Sequence, residues 1–217
     1  MTTFAEAATF SNERRRMVGE QLRARGIADE RVLQAMARVP RQEFIPAPYR
    51  DQAYEDHPLP IAQGQTISQP YIVALMLEAL AIKPQNKVLE VGTGSGYVTA
   101  LLAELSGQVF SMERHADLAE EARETLVRLG YDNVKIFVGD GSLGLAESAP
   151  YDAILVSAAA FKLPPALVAQ LAEGGRMIIP VGPADAQQLQ LITIRNGQPE
   201  VQLREPCRFV PLVEDRY

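Results

Sequence analysis

The chain has 217 residues, 47% of them apolar, with a formal net charge of −6 and a single cysteine, Cys207. That size and apolar content support one sizeable α/β domain or a domain with an extension, and a lone thiol excludes an internal disulfide framework and fits a reducing cytoplasm. No apolar run approaches the ~18 residues that span a bilayer, and the acidic balance argues against a nucleic-acid backbone as main partner, which would want a basic footprint.

The segment Met1–Ser11 is mixed and polar and does not read as a secretory leader. Arg14-Arg15-Arg16 is a local basic run, expected on a solvated helix face. Residues 12–39 read as helical: Val32, Leu33, Met36 and Val39 make one apolar face, Gly26 separates an earlier helix from this one, and Pro40 stops it. Residues 40–70 are rich in Pro, Gln and Gly and read as a connecting segment, long enough to be functional or mobile. Its end, Gly64–Tyr71, places Ser68 where a helix N-cap is expected, with Pro70 in the first turn of a helix running to about Ala81. Two readings of Ser68 stand here. It is a cap, or the free N–H groups of a helix start, with the Thr66 and Ser68 hydroxyls beside them, hold a carboxylate.

From Lys87 onward strands and helices alternate. The expected pairs are strand 88–91 with helix 97–105, then strand 109–113 with helix 117–129, which stops at Gly130. Strand 134–138 alternates Val134, Ile136 and Val138, as a sheet edge with one less buried face would. Strand 153–157 is continuously apolar and hence central; helix 164–172 is expected to end at Gly174-Gly175, before strand 177–181. Asn196-Gly197 between residues 189–195 and 201–204 predicts a closing antiparallel hairpin. The βα alternation predicts a doubly wound, mostly parallel sheet with right-handed crossovers.

The most informative stretch is Val88–Tyr97, a buried-strand signal running into Gly92, Gly94 and Gly96 and then a helix. Such a corner lets backbone approach a ligand because no Cβ intervenes. A dinucleotide fingerprint, Gly-x-Gly-x-x-Gly, would need a glycine at position 97, and that residue is Tyr97. A glycine-rich turn with no ligand is the alternative. In an open α/β sheet, ligands sit at the carboxyl ends of the strands, and Glu90, Glu113 and Asp140 fall at three consecutive strand ends. Glu113 is placed to accept hydrogen bonds from a ribose diol, and Asp140 from an adenine amino group; each could instead cap a turn. His57 and His115 lack metal-ligand spacing, so no metal site is expected. Neither a P-loop nor a nucleophile elbow occurs.

The glycine pattern behind Glu90 resembles the first motif of the S-adenosylmethionine (SAM) methyltransferases. Together with Thr66-Ile67-Ser68-Gln69-Pro70, Val138–Gly141, Tyr151–Val156, Gly174–Gly182 and Arg208–Leu212, it resembles the protein-L-isoaspartate (D-aspartate) O-methyltransferase family over roughly Asn12 to Val213. The resemblance implies a Rossmann-like, class I fold: a seven-stranded sheet with a C-terminal antiparallel hairpin and an N-terminal helical extension. Residues 1–217 would form a single domain, with 12–81 as helical and substrate-site segment and 82–217 as SAM-binding core. It implies Ser68 as active-site serine, Thr66, Ile67 and Val210 as substrate-binding residues, and Glu90, Gly92, Gly94, Glu113, Asp140 and Gly141 as cofactor-binding residues. It further implies a monomer that acts on isoaspartyl residues of damaged proteins and peptides. SAM would be converted to S-adenosyl-L-homocysteine, and the methyl ester would close to a succinimide in repair. Three positions depart from the family's pattern: Ser142 where many members carry an aromatic residue, Ala160 where many carry proline, and Tyr71 where some have histidine. Two competing functions share residues 88–141: a small-molecule methyltransferase, which gives Thr66–Ser68 no role, and a nucleotide-binding oxidoreductase or non-catalytic binding module.

Overall fold

A computed structural model describes residues 4–214. The first three residues of Met1–Ser11 therefore lie outside the described part. Helix α1, Phe4–Arg16, passes through a π-helical turn, Met17–Leu22, and a 3₁₀ turn to Gly26, which takes φ +99° and ends the run. Helix α2, Glu30–Arg38, starts at Asp29, whose side chain accepts from the N–H groups of Arg31 and Val32. Such a carboxylate cap satisfies donors that the helix itself cannot. The basic run is not wholly solvated as expected: Arg15 and Arg16 are exposed, but Arg14 turns inward, with Nη1 3.4 Å from the Tyr54 hydroxyl.

Residues 40–70 are more ordered than a connecting segment. They hold three short 3₁₀ turns and a small antiparallel pair, β1 (Leu59–Pro60) with β2 (Thr66–Ile67). Two-residue strands carry no periodicity, which is why the sequence pattern does not announce them. Helix α3, Pro70–Leu80, follows with Pro70 at its first position, where the missing N–H costs nothing.

The main sheet has the order β5-β4-β3-β6-β7-β8-β9. Its strands are β3 (Lys87–Val91), β4 (Gln108–Glu113), β5 (Val134–Val138), β6 (Tyr151–Val156), β7 (Leu171–Val181), β8 (Gln187–Arg195) and β9 (Gln198–Cys207). The first five strands in this order pair in parallel; β8 and β9 join antiparallel. Strand β5 is the edge that its alternation predicts, and β6 is central. Period-two alternation sorts the side chains between two faces. Val88, Val109, Leu155 and Ile178 pack under α2, α3, α4 (Tyr97–Leu105) and α5 (Ala116–Arg128). Leu89, Phe110, Ile154 and Met177 pack on the other face, towards α6 (Pro165–Ala169).

The expected helix 164–172 is shorter, and residues 171–175 belong to β7. The Gly174-Gly175 pair is thus an irregularity within a strand rather than a helix stop. The register against β6 shifts there, and a Cβ on Gly175 would lie 2.8 Å from the Ala172 carbonyl oxygen and 3.0 Å from that of Tyr151.

The closing hairpin turns on Asn196 (φ +52°) and Gly197 (φ +70°), whose N–H groups both donate to the Glu173 carboxylate. Nothing lies within 4 Å of a Cβ added at Gly197, so substitution there strains backbone alone. Gly197→Ala should cost about 1–2 kcal/mol, and Gly197→Asn less, since Asn tolerates this conformation. Equal denaturation midpoints for the parent and Gly197→Ala would contradict the turn geometry.

Candidate active site

The chain order reverses between β3 and β6, and a cleft opens there over the carboxyl ends of β3, β4 and β6. The cleft is partly open to solvent. The strand-to-helix corner forms its floor. Gly92 N–H donates to the Met112 carbonyl at 2.8 Å, which lays the loop against the end of β4. Gly92 has φ +93°, and a Cβ there would press on Ser157 at 3.4 Å.

Glu113 is only 6% exposed, yet lines the cleft. Its Oε2 accepts from Gly94 N–H at 2.8 Å and its Oε1 from His115 N–H at 2.9 Å. Each carboxylate oxygen has two lone pairs, so a rigidly held acceptor remains on each for a ligand diol. Asp140 caps the turn Gly141–Leu143, its Oδ1 accepting from Ser142 N–H at 2.9 Å and Ser142 Oγ at 2.7 Å. The serine at 142 thus orients the carboxylate before it. Gly141 is required for space: a Cβ would fall 2.4 Å from Val91 Cγ1.

Ser68 is not the helix cap. The cap position is Gln69, without a side-chain cap bond, and the N–H of Tyr71 is satisfied at 3.0 Å by Asp56 Oδ1, fifteen residues upstream. Thr66, Ile67 and Ser68 line the cleft opposite the glycine loop, and among the described residues the Ser68 hydroxyl has no hydrogen-bond partner. A polar group on a cleft wall, released from any capping duty, is placed to meet a ligand. Val210 comes to the same cleft on the tail after β9, whose backbone is tied to the β6 end by Ala159 N–H to Val210 O and Leu212 N–H to Ala159 O, each 2.8 Å.

Of the sequence-expected residues, Thr66, Ile67, Ser68, Gly92, Gly94, Glu113, Gly141 and Val210 line one cleft; Glu90 and Asp140 do not. Glu90 lies beneath the loop, fully buried, its Oε2 accepting from Thr99 Oγ1 and Ser111 Oγ, both at 2.5 Å, while Oε1 has no partner among the described residues. Burial pushes its pKa up to about 8, the two hydroxyls opposing this and Glu113 adding to it. Tyr97, Ser157, Ala158 and Leu212 also line the cleft and were not singled out by the sequence. Their signal was position alone, immediately after the loop, after a strand end, or in the tail. Of the departures, Ala160 donates its N–H to Pro180 O at 3.0 Å, a bond proline could not make, and Tyr71 lies outside the cleft under the Arg25 guanidinium, 3.5 Å from the ring centroid.

This sheet order, glycine corner and acidic strand ends define a Rossmann-like, class I SAM-dependent methyltransferase. The fold is shared even with a precorrin-6y C5,15-methyltransferase from Geobacter metallireducens, at TM-score 0.51 and 15% identity over 68% of this chain and 90% of that one. The sequence model of the protein-L-isoaspartate (D-aspartate) O-methyltransferase family matches residues 12–217, and the chain belongs to that family. It is 56% identical to a protein-L-isoaspartate O-methyltransferase of Koribacter versatilis, covering 98% of this chain and 96% of that protein. It is 53% identical to one of Opitutus terrae, covering 95% and 89% respectively. A Plasmodium falciparum structure described as a protein-L-isoaspartate O-methyltransferase in complex with S-adenosyl-L-homocysteine superposes with TM-score 0.82 at 33% identity, covering 93% of this chain and 99% of that one.

The state of Glu90 has a measurable consequence. Its folded pKa, about 8, exceeds the ordinary value of 4.5, so the folded state holds the proton more tightly than the unfolded chain. This group's stabilising contribution is complete below pH 4.5 and is lost as pH rises through 8. Glu90→Gln should remove a loss on the order of a few kcal/mol across that window. Parallel stability curves for parent and variant from pH 5 to 9 would contradict a neutral buried carboxyl.

Proposed function

We propose that the cleft brings a free peptide α-carboxylate, held at Ser68, against a cofactor held by Gly92, Gly94, Glu113 and Gly141. Asp140 would meet the adenine end from its turn. The enzyme is a SAM-dependent methyltransferase of isoaspartyl residues in protein repair. The observation that carries the residue assignment is the unpartnered Ser68 hydroxyl on the wall facing the glycine loop. When bound, SAM supplies an electrophilic methyl group and leaves as S-adenosyl-L-homocysteine.

The acceptor's chemistry suits this inventory. An α-carboxyl group has an ordinary pKa near ~3.5 and is an anion at neutral pH. No general base is needed. Ser68 orients the carboxylate through its hydroxyl and does not attack. Ile67 and Val210 supply apolar walls that exclude water. Alignment of two bound reactants contributes on the order of 7–11 kcal/mol in favourable cases. Glu90 acts from below, fixing α4 and β4 through Thr99 and Ser111. Residues 12–81 form the substrate-site segment and 82–217 the cofactor core. In this reading the protein works as a cytoplasmic monomer, with no nucleic acid or membrane as partner; the negative charge argues against a nucleic-acid backbone, and among the described residues no helix is long and apolar enough to cross a membrane.

Two variants test the assignment. Glu113→Ala should weaken SAM binding by about 1.5–3 kcal/mol, the range for hydrogen bonds to charged groups; unchanged affinity by calorimetry removes Glu113 from the site. Ser68→Ala should lower turnover on an isoaspartyl peptide while SAM affinity and melting temperature stay near those of the parent, because no cap bond is lost. Full activity at all peptide concentrations would leave Ser68 without a role.

A further inference from the structure

Arg41 is the largest fully buried side chain among the described residues, with 0% exposure. Charged side chains are almost never so placed without a counter-charge. Among the described residues no carboxylate is in ion-pair contact with Arg41; its partners are carbonyls and a ring. Nε–H donates to Ala53 O at 2.8 Å, Nη2–H donates to Ser68 O at 2.8 Å, and Cζ lies 4.7 Å from the centroid of Tyr97. Nη1 is buried with no hydrogen-bond acceptor among the described residues. A methionine would fill such a volume without the cost of desolvating a charge.

Both Ser68 and Tyr97 line the cleft, on the substrate wall and at the start of α4. Arg41 stands behind them and joins them. The Ser68 carbonyl belongs to the peptide plane that leads into α3, so gripping it sets the direction in which the Ser68 side chain leaves the backbone. The planar fork holds two acceptors at fixed angles, which a lysine ammonium cannot reproduce. The guanidinium also sets a positive charge behind Ser68, where an anionic acceptor is read to bind, with Asp56 the carboxylate that acts on it.

We propose that Arg41 is a positioning residue for the methyl acceptor: its guanidinium fixes the Ser68 carbonyl, aiming the hydroxyl at the substrate carboxylate, and its positive charge favours an anion there. The inference rests on the reading of Ser68 as the carboxylate subsite. Arg41 makes no hydrogen bond to Gly92, Gly94, Glu113, Asp140 or Gly141, so cofactor affinity should be spared.

The experiment compares Arg41→Lys, Arg41→Met, Ser68→Ala and the double variant Arg41→Lys/Ser68→Ala in the full chain. Melting temperature, SAM affinity, and kcat and KM for an isoaspartyl peptide are measured for each. Arg41→Lys keeps the charge and loses the fork. It should lower kcat about tenfold, the scale of a small misplacement, with KM little changed. Arg41→Met should also raise KM about tenfold, the scale of one interaction with a charged group, at SAM affinity equal to the parent's. In the Ser68→Ala background Arg41→Lys should have little further effect, because it acts through Ser68. If Arg41→Met does not fold, the coupling between Arg41→Lys and Ser68→Ala carries the test. Effects that simply multiply, or a folded Arg41→Met with parental kcat and KM, overturn the proposal. A Ser68→Ala variant with parental kinetics overturns the carboxylate-subsite reading instead, and is told apart by that single variant.

Discussion

The hydrogen bond from Gly94 N–H to the Glu113 carboxylate, 2.8 Å long and partly buried, joins the glycine corner to the end of the neighbouring strand. Without it the tip of the loop after β3 would lose its one tie to the Glu113 side chain, since its glycines impose no path of their own. With it, and with Gly92 N–H on the Met112 carbonyl, the loop is fixed between β3 and β4, and α4 starts where the cleft needs it. A charge-assisted bond of this kind is roughly twice as strong as a neutral one. Two backbone donors hold the Glu113 carboxylate. Glu90, one strand away, has only hydroxyl donors and an unpartnered oxygen, and there burial wins. Two carboxyl groups in adjacent strands thus have different surroundings, one lining the cleft and one bracing the corner.

The opposite wall is built by the N-terminal extension, and by two arginines in particular. Arg41 binds the Ser68 carbonyl; Arg25 pairs with Asp56, whose other oxygen accepts from the start of α3 and whose Oδ2 also accepts from Gln69 Nε2 at 2.7 Å. The segment 66–69 is therefore held on both sides by groups that precede it by more than ten residues. The small pair β1–β2 adds a further constraint, with Leu59 opposite Ile67. This explains how a stretch rich in Pro, Gln and Gly can present a defined serine. Its order comes from outside it.

The parts of this structure visible in the sequence are those governed by local rules. Apolar runs and Gly-x-Gly-x-Gly at 92–96 located β3, its loop and α4, and Asn196-Gly197 located the hairpin, because each depends on neighbours within a few residues. Carboxylates at 113 and 140 could be placed at strand ends for the same reason. What was not visible depends on distant contacts. Ser68 looked like a cap because the sequence cannot show that Asp56 satisfies Tyr71. Residues 171–175 looked like the end of a helix because the glycine pair there answers to crowding by the Tyr151 and Ala172 carbonyls. Glu90 read as a cofactor ligand because its strand position gives no warning that it turns beneath the loop towards Thr99 and Ser111. Arg41 gave no signal at all: nothing in a sequence marks an arginine as buried.

The central claim is that the cleft aligns a carboxylate attached directly to Cα, and geometry makes that claim severe. An isoaspartyl linkage places the free carboxylate on Cα, whereas a normal aspartyl residue carries it one methylene further along the side chain. Misplacement by 1 Å can cost on the order of 100-fold in rate. The direct measurement is the initial rate of methyl transfer from labelled SAM to two peptides of identical sequence, one isoaspartyl and one aspartyl, each up to saturation. The account predicts methylation of the isoaspartyl peptide and a negligible rate on its twin even at high concentration. Comparable rates on the two would contradict it, and would point to a carboxyl methyltransferase with no reading of the linkage.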